Sequence, residues 1–332
     1  MTLLAVENLR VSFASEGGPV TAVHDVSFSV NAGEVLGIVG ESGSGKTLSL
    51  LSVLGLVDKR VTTVTGRAVF RGRSLLDLPD REMRKIRGRD IALISQDPMT
   101  ALTPVHTIGA QIVEQIRAHE TISRSAARAR AVELLRDVRI PEPQSAMDRY
   151  PHELSGGMRQ RAVIAMALSC SPALVVADEP TTALDTTVQA QVLDLLRALR
   201  QSHGSSVVLI THDMGVVAEM ADRVAVMYAG RVVETGPVAD VFNEPWHPYT
   251  WGLLASIPPL TGARQGRLYS IPGMPPAPGT KLPGCAYVAR CPAAMAICHT
   301  PPPEQMDGAH RSLCFLDAGQ RVAARQKVGA PA

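Results

Sequence analysis

The sequence has few aromatic residues, little net charge and no long apolar segment. Phenylalanine, tryptophan and tyrosine make up 4% of the 332 residues, which argues against a surface on which nucleic-acid bases stack. Lysine and arginine number 33 and aspartate and glutamate 31, so the net charge of +2 gives no general reason to expect a nucleic-acid partner. The most apolar stretch, Ala162–Ala177, is too short to cross a bilayer and contains Pro172.

The remaining composition is that of an ordinary globular protein. Hydrophobic residues make up 45% and charged residues 19% of the chain, and its length corresponds to about two domains. The segment Met1–Glu7 has no basic region before an apolar run, so it does not have the form of a secretion signal. We therefore expect the chain to stay in the cytoplasm, where structural disulfides are rare.

Short apolar segments alternate with segments of helical periodicity. The apolar segments 34–39, 173–178 and 206–211 predict strands buried on both faces. Residues 156–168 and 187–202 predict helices between them. Such alternation is typical of an α/β fold in which helices cover a parallel sheet.

The composition changes after residue 256. Residues 257–303 contain many prolines and glycines, which predicts little regular structure there. We therefore place a domain boundary near residue 257. The C-terminal residues 321–332 predict a loose tail.

Residues 40–47 fit the phosphate-binding P-loop pattern in full, with a predicted strand before them and a helix after them. The glycines let the backbone wrap around phosphate, and the helix N-terminus adds a favourable field. Lys46 is expected to reach the β- and γ-phosphates, and the Thr47 hydroxyl to ligate Mg²⁺. The residues predicted to bind ATP in this loop are Gly40, Glu41, Ser42, Gly43, Ser44, Gly45, Lys46 and Thr47.

A second apolar strand, 174–177, leads into two carboxylates. Asp178 is placed to hold the Mg²⁺ shell through water, and Glu179 to polarise the attacking water. Together with the P-loop these acids predict a nucleoside triphosphatase. They do not choose among kinases, GTPases and motor ATPases, which share both features.

A third segment has the chemistry of another phosphate site. Ser155 can donate its hydroxyl, Gly156 and Gly157 expose backbone N–H groups, and a predicted helix begins there. Because one P-loop already serves the nucleotide, a second donor site suggests ATP held between two subunits. Ordinary helix capping by Ser155 is the alternative.

This set of residues resembles the ATP-binding cassette (ABC) family. Gln96 follows the predicted strand 91–94 as the family's Q-loop glutamine does, Ala-Leu-Asp at 183–185 is similar to its D-loop, and His212 is similar to its switch histidine. The resemblance covers about residues 3–255. It implies a P-loop NTPase nucleotide-binding domain of ABC type, with a mixed-sheet core.

The resemblance and the change in composition near residue 257 together predict three parts, an ATP-binding domain, a C-terminal extension and the tail at 321–332. Residues 1–256 form the ATP-binding domain, and residues 97–160 within it form a helical subdomain that carries the signature segment. Residues 257–320 form a Pro- and Cys-rich C-terminal extension.

The resemblance also implies roles in hydrolysis. Gln96 senses the γ-phosphate, joins Thr47 and Asp178 at the Mg²⁺ ion, and connects to a membrane partner. His212 contacts the γ-phosphate and positions the attacking water with Glu179.

Other roles implied by the resemblance concern ATP binding between subunits. Ser155, Gly156 and Gly157 bind the γ-phosphate of the nucleotide on the opposite subunit, and Asp185 lies at the dimer interface. Phe13 stands where the family places an aromatic ring under adenine. A plain core position is the alternative for Phe13.

Five segments point to one branch of this family: 96–104, 150–153, 226–230, 247–250 and 271–273. On these segments the chain resembles the ATPases of oligopeptide/dipeptide permeases. That resemblance implies an importer ATPase at the cytoplasmic face of the membrane, with two transmembrane subunits, a second and unlike ATPase, and an extracytoplasmic binding protein. Import of nickel or another small solute, or a regulatory ATPase outside transport, are the alternatives. Thr103 departs from the family, which often has Asn there.

Four of the five cysteines lie close together near the C-terminus. Four thiolates could hold zinc or an iron–sulfur cluster. Their spacing, however, contains neither the CxxC pair of common zinc sites nor the closely spaced cysteines of bacterial ferredoxins. The same cysteines match the C-terminal extension of the permease ATPases, and this resemblance implies a [4Fe–4S] cluster. Zinc, or no ligand, are the alternatives. Cys170 is predicted to be buried and inert. The clustered cysteines are Cys285, Cys291, Cys298 and Cys314.

Overall fold

A computed structural model describes residues 1–181, 186–257 and 269–328. The strands in chain order are β1 Thr2–Phe13, β2 Val20–Asn31, β3 Val35–Val39, β4 Thr62–Phe70, β5 Arg73–Ser74, β6 Ile91–Ile94, β7 Leu174–Asp178, β8 Ser206–Thr211, β9 Arg223–Tyr228, β10 Arg231–Pro237, β11 Glu304–Asp307 and β12 His310–Leu313. The helices are α1 Lys46–Val53, α2 Asp80–Ile86, α3 Pro98–Ala101, α4 Ile108–His119, α5 Arg124–Asp137, α6 Pro143–Ala146, α7 Gly156–Leu168, α8 Thr186–His203, α9 Met214–Met220, α10 Val238–Asn243, α11 Pro248–Ala255 and α12 Ala318–Val328.

The chain forms two compact units, each assembled from separate stretches of sequence. The first unit comprises Met1–Leu3, Val30–Glu34 and Asp77–Ile210, and the second comprises Leu4–Ser29, Val35–Leu76 and Thr211–Ala332. In the residues that the structure describes, no helix is long and apolar enough to cross a membrane.

The first unit is built on the parallel strands β6, β7 and β8, with β7 in the middle. Every residue of β7 and β8 is buried. This explains why both strands are continuous apolar runs in the sequence, since a parallel strand covered on both faces has no solvent side for polar residues. The expected α/β core is therefore confirmed.

The helices α4, α5 and α7 of the first unit pack against one another. Each begins after a hydroxyl residue whose side chain accepts a backbone N–H from three residues further on: Thr107, Ser123 and Ser155, at 3.2–3.3 Å. Such caps satisfy N–H groups that the helix itself leaves without partners. They fix the start of each helix, and the start of α7 is where the Ser-Gly-Gly segment lies.

The second unit contains two sheets. One has the order β2-β1-β4-β5, and in the other β3 pairs in parallel with β9, followed by antiparallel β10, β12 and β11. The C-terminal strand β12 pairs with β10 at Glu234↔Ser312 and Thr235↔Arg311. The C-terminal region, residues 269–328, therefore extends the same sheet that contains β3, the strand before the P-loop.

Aromatic side chains connect the C-terminal region to β9 in the core of this unit. The rings of Tyr228 and Tyr249 lie 4.7 Å apart, and Tyr287 meets the Tyr228 ring edge-on at 5.2 Å. All three side chains are buried. Three of the five tyrosines of this aromatic-poor chain thus form a single cluster.

Glu234 on β10 is fully buried and gathers donors from two segments of the C-terminal half. Its carboxylate accepts the backbone N–H groups of Trp246 and His247 and the hydroxyl of Thr250, and it shares a 2.8 Å hydrogen bond with Nε2 of His310. A buried carboxylate needs such partners because its charge has left water. Glu234 therefore ties α11 and β12 to the sheet.

The helix α12 corrects one prediction. Residues 321–328 belong to this helix and are not the loose tail expected for 321–332. Asp317 supplies the missed signal, since its carboxylate accepts the N–H of Gln320 at 2.8 Å and caps the first turn. The following alanine, arginine and glutamine residues are good helix formers. Over 269–303, in contrast, the described regular structure is limited to the 3₁₀ turns Val288–Arg290 and Ala296–His299, as the prolines and glycines predict.

Candidate ATP site

The first P-loop glycine occupies a position that no other residue can fill. Gly40 has a φ of 153°, and a Cβ at this residue would stand 2.1 Å from the carbonyl oxygen of Met227. A contact this short with backbone cannot be relieved by a side-chain rotation. The loop can therefore leave β3 beside β9 only through a glycine.

Lys46, the first residue of α1, has its side chain buried inside the loop. Its Nζ donates to the carbonyl oxygens of Gly40 at 2.7 Å and Glu41 at 2.9 Å. The ammonium group is thus held at the centre of the loop by oxygen acceptors, the same type of group that a phosphate would offer.

Glu41 makes contacts with two residues that are distant in sequence. The guanidinium of Arg290 donates to both carboxylate oxygens at 2.7 and 3.0 Å, and the Tyr249 hydroxyl accepts the Glu41 N–H at 2.8 Å. Glu41 raises the pKa of Arg290, because the ion pair favours the charged guanidinium. Sequence reasoning missed both partners, which lie 249 and 208 residues away.

Two further predicted residues belong to the second unit. Phe13 ends β1, is half-buried and pairs with Thr62 of β4. His212 has an exposed side chain immediately before α9, where the carboxylate of Asp213 accepts the N–H groups of Gly215 and Val216. The short cap fixes the backbone next to the histidine.

In the first unit the two predicted carboxylates lie at the end of β7. Asp178 is its last residue and is buried. Glu179 follows with a φ of 45°, and its N–H donates to the carbonyl of Ile210 at 2.9 Å. A left-handed backbone at a residue other than glycine costs about 1–3 kcal/mol and is often retained at functional sites.

The structure brings Gln96 and Glu179 together. The Gln96 Nε2 donates to Oε2 of Glu179 at 3.1 Å, although 83 residues separate them. Gln96 follows β6, and β6 pairs in parallel with β7, so both side chains lie at the carboxyl ends of neighbouring strands. Ligands commonly bind at this end of a parallel α/β sheet.

The N-terminus of α7 carries the predicted second phosphate site. Ser155 and Gly156 are exposed, and a Cβ on Gly157 would approach Cγ1 of Val188 to 3.0 Å. The helix therefore starts with an exposed backbone at Ser155 and Gly156, which suits an anion, whereas Gly157 leaves no room for a larger residue beside Val188. Asp185, predicted at the dimer interface, lies outside the described residues.

Comparison with known proteins identifies the family. A model of the ABC transporter family matches residues 23–182, and a model of the oligopeptide/dipeptide transporter C-terminal region matches residues 233–298. The dipeptide transport ATP-binding protein of Bacillus subtilis is 49% identical over 319 residues, which cover 95% of this chain and 94% of that protein. The chain belongs to the ABC transporter family.

Other relatives of this ABC transporter protein support the same family and fold. An oligopeptide transport ATP-binding protein of Mycobacterium tuberculosis is 50% identical over 316 residues, 94% of this chain but only 52% of the relative, so the chain spans about half of that protein. A solved dimeric ATP-binding cassette with ADP and Pi bound is 28% identical, with a TM-score of 0.64 over 71% of this chain and 98% of its own. The expected cassette fold is confirmed.

The clustered cysteines of this ABC transporter protein line one small cavity in the C-terminal region, together with Met295 and Leu316. The N–H of Cys285 donates to the carbonyl of Cys298 at 2.8 Å. Burial raises the pKa of the Cys285, Cys291 and Cys314 thiols, that of Cys291 to about 12. The described residues nevertheless contain no group of three or more side chains already arranged as metal ligands. The four cysteines around the cavity are Cys285, Cys291, Cys298 and Cys314.

Proposed function

We propose that this chain is the ATP-hydrolysing subunit that powers a membrane importer of oligopeptides or dipeptides. ATP hydrolysis is supported most strongly by the contact between Gln96 and Glu179 at the end of β7, in a chain that also has a complete P-loop. The cargo rests on the relatives, which are named as dipeptide and oligopeptide transport ATP-binding proteins.

ATP binding begins at the P-loop. Lys46 exchanges the carbonyls of Gly40 and Glu41 for oxygens of the β- and γ-phosphates. Mg²⁺, when bound, neutralises phosphate charge and orients the γ-phosphate. Its ligands would be the Thr47 hydroxyl, Gln96 and, through water, Asp178, an oxygen set of the kind that Mg²⁺ prefers.

Hydrolysis then depends on Glu179. Its carboxylate accepts a proton from water as the water oxygen attacks the γ-phosphorus, and the bond to the β-phosphate oxygen breaks, leaving ADP and inorganic phosphate. Gln96 orients the carboxylate through the 3.1 Å hydrogen bond. His212 contacts the γ-phosphate and helps to position the water.

A second ATPase subunit completes the site in this proposal. Ser155, Gly156 and Gly157 bind the γ-phosphate of the ATP held by the opposite subunit, Asp185 lies at the interface, and Phe13 stacks on adenine in its own subunit. The dimeric state of the solved cassette supports this arrangement. The second ATPase is proposed to be an unlike chain.

The further partners are two transmembrane subunits and, through the assembled complex, an extracytoplasmic substrate-binding protein. They place the chain at the cytoplasmic face of the membrane. Within the chain, residues 1–256 are proposed as the ATP-binding domain, 97–160 as its helical subdomain and 257–320 as the C-terminal extension.

The test of this function is purification of the chain with its membrane partners. We expect two transmembrane subunits to co-purify and peptide with its binding protein to stimulate ATP hydrolysis. Stimulation by nickel and not by peptide would assign the transporter to another cargo. Recovery with nucleic acid and without membrane subunits would favour a regulatory ATPase.

We further propose that the four C-terminal cysteines hold a [4Fe–4S] cluster with a structural or regulatory role, with zinc as the alternative. Their placement around one cavity supports a shared ligand. Residues 269–303 also have little regular structure of their own, and a shared metal cluster would cross-link them. Because thiolates are the ligands, binding must displace protons from thiols whose pKa is raised.

The cluster proposal predicts about four irons and four sulfides per chain in anaerobically purified protein. Cys285→Ser removes one ligand, so iron and sulfide should fall sharply. Cys170→Ser is the matched control, because Cys170 lies outside the cavity and its replacement should leave the iron content unchanged. Stoichiometric zinc would support the alternative, and protein without either metal would contradict a metal site.

A further inference from the structure

The ion pair between Arg290 and Glu41 is enclosed within the second unit. The Arg290 side chain is 5% exposed, and both of its terminal nitrogens bind the Glu41 carboxylate. The pair is therefore bidentate, with Arg290 removed from water and the Glu41 side chain 27% exposed. Arg290 stands next to Cys291, and Glu41 is the second residue of the P-loop.

Arg290 is itself fixed by other contacts in the C-terminal region. Its Nε donates to the carbonyl of Pro272 at 2.8 Å, and the guanidinium lies 5.7 and 6.0 Å from the ring centres of Tyr228 and Tyr287. These contacts hold the guanidinium in place independently of its ion pair with Glu41. It acts as a fixed anchor for the loop.

The contacts of Glu41 account for each of its polar groups. Its carboxylate is held by Arg290, its N–H by the Tyr249 hydroxyl and its carbonyl by Lys46. The first turn of the P-loop is therefore set before nucleotide arrives, and Lys46 starts from a defined position. A loop that is already ordered loses less entropy when ATP binds.

We propose that Arg290 is a positioning residue for ATP binding, which acts through Glu41 to hold the P-loop in its binding conformation. The C-terminal region thereby takes part in the affinity for ATP. This inference rests on the proposed function, because it presumes that the P-loop binds ATP.

The first test is a titration of the full chain with Mg-ATP by calorimetry. Arg290→Met should raise the Kd about tenfold, because it leaves Glu41 without its anchor and with an uncompensated charge beside the phosphates. Arg290→Lys retains the charge but not the bidentate geometry, so it should recover part of the affinity. Arg311→Met, which removes an exposed arginine of the same region, should bind ATP as the wild type does.

A double-mutant cycle separates this role from general stabilisation of the fold. In a Glu41→Gln background, Arg290→Met should change the Kd by less than about twofold, because the pair is already broken. In the wild-type background the change should appear in KM for ATP, with kcat little altered, since neither residue touches the attacking water. An equal tenfold loss in both backgrounds would show that Arg290 does not act through Glu41.

The outcomes distinguish the failure of this inference from the failure of the proposed function. If the wild type and Arg311→Met do not bind ATP, both fail. If they bind ATP and Arg290→Met binds it equally well, only the role of Arg290 is overturned. Should Arg290→Met fail to fold, Glu41→Gln alone still tests the pair. A Kd for Glu41→Gln equal to that of the wild type would then contradict the proposal.

Discussion

Replacing Glu179 with glutamine is expected to slow ATP hydrolysis about a thousandfold while ATP still binds. The amide cannot accept the proton of the attacking water, but it has nearly the shape of the carboxylate and leaves the backbone at φ 45° unchanged. The P-loop, which provides the binding energy, is untouched. Phosphate release and ATP titration on the same preparation measure both quantities.

Glu133→Gln is the matched control for this variant. Glu133 is an exposed carboxylate on α5 that pairs with Arg136, so its loss removes the same charge at the surface of the same unit. We expect wild-type turnover from it. Retained turnover in Glu179→Gln would remove Glu179 from the mechanism and leave the contact with Gln96 without a catalytic meaning.

Replacing Lys46 with alanine is expected to raise the Kd for ATP by more than about a hundredfold. Lys46 is the buried cation within the P-loop, and two hydrogen bonds to charged phosphate oxygens contribute about 1.5–3 kcal/mol each. Alanine supplies neither bond and no positive charge. Binding of a fluorescent ATP analogue, competed with ATP, measures the effect.

Lys59→Ala serves as the control for the lysine variant. Lys59 is exposed, so its removal takes the same charge from the chain without touching the P-loop. Its affinity for ATP should match the wild type. An unchanged affinity in Lys46→Ala would instead mean that residues 40–47 do not hold the phosphates.

Local features of the molecule could be predicted from the sequence. The strand, glycine-rich loop and helix around residues 35–53 are contiguous, and each part has its own chemical signature. The same is true of β7 with Asp178 and Glu179, and of α7 with its Ser155 cap. In these cases the residue types that the chemistry needs also dictate the backbone.

Contacts between distant segments could not be predicted in this way. The pairing of β12 with β10, the hydrogen bond from His310 to Glu234 and the ion pair from Arg290 to Glu41 join residues 76 to 249 positions apart. Nothing in the local composition of 284–314 distinguishes an arginine that reaches the P-loop from one that faces solvent. The helix α12 was missed for a different reason, because a terminal position outweighed the signal from Asp317.

If ATP hydrolysis by this chain drives peptide import, the assembled transporter must accumulate peptide when ATP is supplied. The purified transporter that contains the chain is placed in lipid vesicles, and accumulation of a labelled oligopeptide is measured with its binding protein and ATP. We expect accumulation that requires ATP and is lost when the chain carries Glu179→Gln. Hydrolysis of ATP without accumulation of peptide, or accumulation that persists with Glu179→Gln, would contradict it.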